Sequence, residues 1–198
     1  MAVLAFGRWD VSGISVSDPG IKPYINLEPR IVPKTGARYA RNRFHKSNVF
    51  IIERLMNKLM NTGHRAKKHK MSSSSFTGNM QTVYNIMIEV LEKIEKKTEK
   101  NPIEVVVKAV ENASPREEVV AIEYGGARYP KAVECAPQRR VDLALRHLTQ
   151  SAYHKSFQTK TSTADCLVDE IMFASNNSNN SNAISRKLEL ERQADASR

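Results

Sequence analysis

The chain has 198 residues and a mass of 22.3 kDa, enough for one domain of ordinary size with tails. Lys and Arg number 31 against 21 Asp and Glu, a net charge of +10, so a polyanionic partner is expected: nucleic acid or an acidic membrane surface. The only cysteines, Cys135 and Cys166, lie far apart with no Cys-x-x-Cys, which excludes a disulfide scaffold and an all-Cys zinc centre and points to a reducing, cytosolic home.

The longest apolar run, Met1 to Phe6, falls far short of the roughly 18 residues of a membrane span. No basic stretch precedes it, so it does not read as a signal peptide. Residues 1–46 hold four prolines between Pro19 and Pro33, which rules out a helix there. They read as an extended arm with a basic end, in which Lys34, Arg38, Arg41, Arg43, His45 and Lys46 would meet phosphates. Tyr39, Phe44 and His45, set between the cations, would stack either on bases or on the protein's own body.

A first helix is expected from a cap at Ser47 or Asn48 to Asn61, burying Ile51, Ile52, Leu55, Met56, Leu59 and Met60 at helical spacing. Gly63 ends it, and a basic loop with Arg65, Lys67, Lys68 and Lys70 leads to the serine run 72–75. A second helix spans about Asn79 to Lys97. A third starts at Asn101-Pro102, with Glu104 in its first turn, and stops at Ser114-Pro115. The segment 119–135 reads as one hairpin turning at Gly125-Gly126, with Tyr124, Arg128, Tyr129 and Lys131 flanking the tip. Two strands alone are marginal, so the hairpin either leans on helices or projects as an arm.

A fourth helix, about Pro137 to Ser156, places Val141, Ala144, Leu145, Leu148 and Ala152 on one side. Arg139, Arg140, Arg146, His147 and His154 fall on the other, with Lys155 near its end and Asp142 as its only acid. A fifth runs from about Thr163 to Ser175, followed by an Asn/Ser linker at 175–182 and a weakly apolar last helix through Ile184, Leu188 and Glu191. The fold class is therefore mainly α: five to six helices in a single domain over 47–198, one hairpin, and the basic arm.

The charge is segregated along this plan. Residues 30–70 hold twelve basic residues and one acid, Glu53; residues 128–160 hold seven basic and two acidic residues. Like charges crowded in this way repel unless a partner supplies anions. No catalytic constellation accompanies them. There is no phosphate-cradling glycine loop and no nucleophile elbow, and no histidine has an acid at helix spacing to fix its tautomer. No cofactor, no metal and no enzymatic activity are expected. Residues alone leave three readings open: a helical RNA-binding protein, a DNA or chromatin protein, and an RNA-modifying enzyme, the last lacking its acid/base set.

Several stretches, in order and at matching spacing, single out one family. They are Phe6-Gly7-Arg8-Trp9-Asp10, Tyr24-Ile25-Asn26-Leu27, 50–60, 101–107, 115–118, the hairpin 124–129, 137–146, Ala183-Ile184-Ser185-Arg186-Lys187 and 189–192. Together they resemble ribosomal protein family seven of the small subunit, in its archaeal and eukaryotic branch. The resemblance implies a helical domain with a protruding hairpin, bound to the 3′ major domain of small-subunit rRNA in the cytoplasmic ribosome. It implies a role in nucleating assembly of the subunit head, and an exit-site position near mRNA and departing tRNA, facing the platform protein of family eleven. It adds Arg186 and Lys187 on the last helix to the expected RNA contacts. The sequence departs from the family pattern in the loops 72–75 and 175–182.

Overall fold

The computed structural model describes residues 3–60 and 79–198. Among them are six α-helices and one antiparallel hairpin. The elements are α1 (Ile51–Leu59), α2 (Met80–Thr98), α3 (Pro102–Ala113), β1 (Glu117–Tyr124), β2 (Ala127–Glu134), α4 (Pro137–Ser156), α5 (Thr163–Ser175) and α6 (Asn182–Asp195). Local chemistry accounts for the helix starts. Asn79, Asn101, Ser162 and Ser181 each accept a backbone N–H of the first turn through the side chain, and Pro102 and Pro137 occupy first-turn positions where no N–H is needed.

Helix α5 packs against α2, α3 and α4. Its Leu167, Val168 and Ile171 meet one continuous core with Met87, Leu91, Ile94, Val106, Val110, Leu145 and Leu148. Among the described residues three charged side chains are buried: Glu53, Arg54 and Glu170. Glu170 is fully buried, and both its oxygens are occupied. Oε1 accepts from Ser181 Oγ (2.7 Å) and the Ala183 N–H (2.9 Å); Oε2 accepts from Ser151 Oγ (2.7 Å) and Lys155 Nζ (2.8 Å). Burial alone would raise its pKa, but these donors outweigh burial and hold it below the ordinary glutamate value. The carboxylate thus ties α4, α5 and the start of α6 together.

The arm differs from expectation in what it buries. Its backbone is irregular, with no α-helix among its described residues, yet Ala5, Phe6, Trp9, Val11, Val16, Ile21 and Ile25 belong to the same core as the helices. Trp9 lies edge-on to Phe6 and donates its indole N–H to Glu95 on α2 (3.1 Å). Burial here follows from tertiary contact, so no 3.6-residue period announces it. The start of α1 is also corrected. It begins at Ile51, after a short 3-10 turn at His45–Asn48, and neither Ser47 nor Asn48 caps it. The Ile51 N–H is taken instead by the Asn26 carbonyl (3.0 Å), so the arm supplies the cap. The expected end at Asn61, the stop at Gly63 and the loop cations Arg65, Lys67, Lys68 and Lys70 lie outside the described residues, as does the serine run 72–75.

Replacing Trp9 by Ala removes a large buried side chain and leaves Glu95 without its indole donor. The expected loss is about 3–5 kcal/mol in urea unfolding, as for other large-to-small core changes. A loss under about 1 kcal/mol would show that the arm is dispensable to the core.

Candidate nucleic-acid interface

The basic end of the arm is a chain of tight turns over residues 34–46, not a free extended strand. Three contacts hold it, two of them to the helical body. Glu53, the one acid of the first basic block, is buried and accepts from both the Thr35 N–H (2.8 Å) and the Thr35 hydroxyl (2.6 Å). Arg30 donates to the Tyr39 hydroxyl (2.8 Å). Lys46 donates to Asp142 on α4 (3.1 Å). The aromatics take part as well: Tyr24 meets Phe44 edge-on, and the Arg43 guanidinium lies 5.1 Å from the centre of the Phe44 ring. Tyr39 and Phe44 thus pack against other residues of the arm, Phe44 remaining exposed, while Lys34, Arg38 and Arg41 are exposed and have no side-chain partner among the described residues.

Helices α1 and α4 carry the second cluster. Asp142 accepts from Lys46 and from the buried Arg54 (3.2 Å), which also donates to the Tyr24 carbonyl (2.7 Å). Burial would raise the Asp142 pKa, but the Lys46 hydrogen bond and the Arg54 charge hold it below the ordinary carboxylate range. Lys58, one turn along α1 from Arg54, is half-buried beside the same group. Burial pushes its pKa down, and the nearby positive charges of Lys46, Arg146 and Arg54 push the same way against Asp142. Arg146 is exposed without a side-chain partner among the described residues. One carboxylate therefore faces Lys46, Arg54, Lys58 and Arg146. Sequence reading counted Lys58 in the basic block but not among the contacts; its signal was the Arg54/Lys58 spacing on one face of α1.

Other expected contacts have internal partners. Arg139 is bidentate to Glu118 at the hairpin base (2.6 and 2.7 Å). Arg140 donates to Asp18 (2.7 Å) and the Pro115 carbonyl (3.2 Å). Lys155 is committed to Glu170, Lys187 to the Asn112 carbonyl (2.9 Å), and Arg186 pairs with Glu189 (2.7 Å). The fourth-helix surface is thus not uniformly free: Arg139 and Arg140 fasten α4 to the hairpin and the arm. His154 is exposed, edge-on to Tyr153. His147 is largely buried. Burial, reinforced by the charges of Arg146 and Arg186, lowers its pKa from 6.5 to about 4, so the ring is neutral at pH 7.

The hairpin projects. Gly125 and Gly126 take φ of +59° and +83°, which a two-residue turn of this hand requires. Pairing of Val120 with Lys131, Ile122 with Tyr129 and Tyr124 with Ala127 puts these side chains on one face. Tyr124 is 82% and Tyr129 59% exposed, and Val120 and Ile122 are also uncovered. Arg128 reaches across to Glu123 (3.4 Å). The base is pinned by the Glu118–Arg139 pair, by the Arg116 N–H on Glu191 (3.0 Å) and by Arg198 on Glu117 (2.6 Å). Cys135 lies buried there, its thiol pushed up to about 11 by burial and the Glu118 charge, and so is unreactive. Among the described residues no group of His, Cys, Asp and Glu is arranged to hold a metal ion, and no helix is long and apolar enough to cross a membrane.

Comparison with known proteins decides between the readings left open. The profile of the family described as ribosomal protein S7p/S5e matches residues 21–198. The chain belongs to that family. It is 52% identical over 198 residues to the small ribosomal subunit protein uS7 of Nanoarchaeum equitans, covering all of both chains. It is 47% identical over 196 residues to that of Archaeoglobus fulgidus, covering 99% of this chain and 95% of the relative. With the protein of the same name from Methanothrix thermoacetophila the identity is 46% over 193 residues, 98% of each chain. As a member of the S7p/S5e family the chain is a ribosomal protein, a structural one and not an enzyme.

His147 yields a pH test. Its folded pKa of about 4 lies below the ordinary 6.5, so as pH falls the unfolded chain takes up this proton first. The contribution is full above pH 6.5, declines between 6.5 and 4, and is flat below; the whole decline is on the order of 3 kcal/mol. His147→Gln is expected to lose less stability than wild type between pH 7 and 4.5 in paired urea titrations. Parallel losses would show that the ring titrates normally.

Proposed function

We propose that this chain binds the 3′ major, or head, domain of small-subunit rRNA, helps nucleate head assembly, and lines the exit site of the cytoplasmic ribosome. Its further partners are mRNA, the departing tRNA and neighbouring head and platform proteins, including that of family eleven. Family membership makes it a structural constituent of the small ribosomal subunit. On this reading residues 1–46 serve as an RNA-facing arm on the helical body 47–198.

The observation that carries the reading is the set of cations left without internal partners. Lys34, Arg38 and Arg41 stand free on the turns, and Lys58 and Arg146 crowd around the single carboxylate Asp142. Several cations elsewhere are committed to carboxylates, Arg139 to Glu118, Arg140 to Asp18 and Lys155 to Glu170. Here positive charge is stacked on positive charge in a partly dry patch, where each phosphate bound relieves repulsion and replaces lost water. The hairpin tip adds two uncovered tyrosines, whose rings stack on bases of any sequence.

Binding to a head-domain rRNA fragment is expected to weaken with salt at a log–log slope of about −5, the value for six to eight phosphate contacts. Lys58→Ala with Arg146→Ala is expected to flatten the slope by about one to two units, whereas Arg139→Ala, whose guanidinium already serves Glu118, leaves it unchanged. An unchanged slope in the double variant would sink the patch as a phosphate site.

Shortening the hairpin is expected to separate its tip from assembly. Deleting residues 123–131 and closing with a two-residue turn leaves the helical body folded and rRNA bound, since the base pins remain. Retention of exit-site tRNA on reconstituted subunits falls. Loss of rRNA binding by the shortened protein would make the tip part of the primary contact instead.

A further inference from the structure

Between α4 and α6 lies a cleft of about 660 Å³, within the range of ligand sites. Helix α4 contributes His147, Gln150, Ser151 and His154, and α6 contributes Asn182, Arg186, Glu189, Leu190 and Gln193. On each helix these positions fall on one face. The lining is unlike the rest of the basic surface. Arg186 and Glu189 in its lining are paired to each other at 2.7 Å, so the arginine is not left free to hold a phosphate.

What the cleft offers is neutral hydrogen bonding. The amides of Gln150 and Gln193 have no partner among the described residues. Ser151 and Asn182 are joined to each other (3.1 Å) and fixed in place by the buried Glu170. Nε2 of His147 is buried without a hydrogen-bond partner. A buried ring nitrogen left unsatisfied is unfavourable, so an occupant that hydrogen-bonds there is favoured. His154 and Leu190 add an aromatic and an apolar surface.

We propose that this cleft receives an unstacked nucleobase from a single-stranded segment of bound RNA and reads its hydrogen-bonding edge through Gln150, Gln193 and His147. Side-chain amides and neutral imidazole match base edges in donor and acceptor pattern, and flat or apolar neighbours cover the ring faces. The inference rests on the RNA-binding reading above, but assigns to the cleft selectivity among bases rather than attraction to phosphate.

The experiment measures the full chain against the single-stranded hexamers of A, C and U by fluorescence anisotropy, at low and at high salt, and follows the His147 ring resonances during titration with the four uncharged nucleosides. One hexamer is expected to bind about tenfold more tightly than the weakest, the worth of one good base contact, and the preference persists at high salt. Gln150→Ala with Gln193→Ala, both at surface positions, brings the hexamers within about twofold of one another while the salt slope is retained. The nucleoside of the preferred base shifts the His147 resonances in wild type. Equal affinities in wild type, or a preference that survives the double variant, overturns the cleft as a base site. Perturbation of His147 by no nucleoside does the same, and leaves the cleft to a protein segment. Absence of any salt-dependent binding by wild type would instead overturn the RNA-binding reading itself.

Discussion

A single buried carboxylate organises the C-terminal helices of this protein. Glu170 has no exposed surface and four donors, drawn from two helices other than its own. A carboxylate in that setting is stable only while the donors stay in place, because removal of one partner of a buried charge typically costs about 3–5 kcal/mol. The arrangement is therefore close to all-or-none. It fixes where α6 begins, and α6 in turn floors the cleft and braces the hairpin base through Glu191.

The other acids follow the same economy. Asp18 holds Arg140, Glu118 holds Arg139, Glu53 holds Thr35, and Asp142 gathers Lys46 and Arg54. Each pin joins segments far apart in the chain. A protein of net charge +10 thereby uses several of its scarce carboxylates as fasteners, and part of the surplus positive charge is left on the arm turns and on the α1–α4 patch. Fold and binding surface arise from one distribution of charge, with paired cations fixing geometry and unpaired ones facing outward.

Legibility in the sequence tracked locality. Helices α2 to α5 were visible because their apolar period, caps and prolines lie within each segment, and α4 and α5 have the expected bounds. The hairpin was visible because Gly125-Gly126, set between two strand-like runs, supplies the positive φ values a tight turn needs. What escaped depends on distant partners. Trp9 and Ile21 are core residues through contact with helices long after them, and Asn26 caps α1 from another segment. Periodicity assigned Arg139, Arg140 and His147 to an outer face; only tertiary structure reveals that two have carboxylate partners and the third is largely buried. Nothing within α5 marks Glu170 as buried.

The Arg140–Asp18 ion pair spans 122 residues of chain. A growing polypeptide lengthens at about 5–20 residues per second, so Asp18 waits roughly 6–25 s after its own synthesis before its partner is made. During that interval the N-terminal segment has its buried-to-be aromatics uncovered and its arginines free, in a cell crowded with polyanions and other nascent chains. The protein is thus most exposed to misassociation while it is being made, and the closing of α4 onto the first segment is the event that ends that exposure.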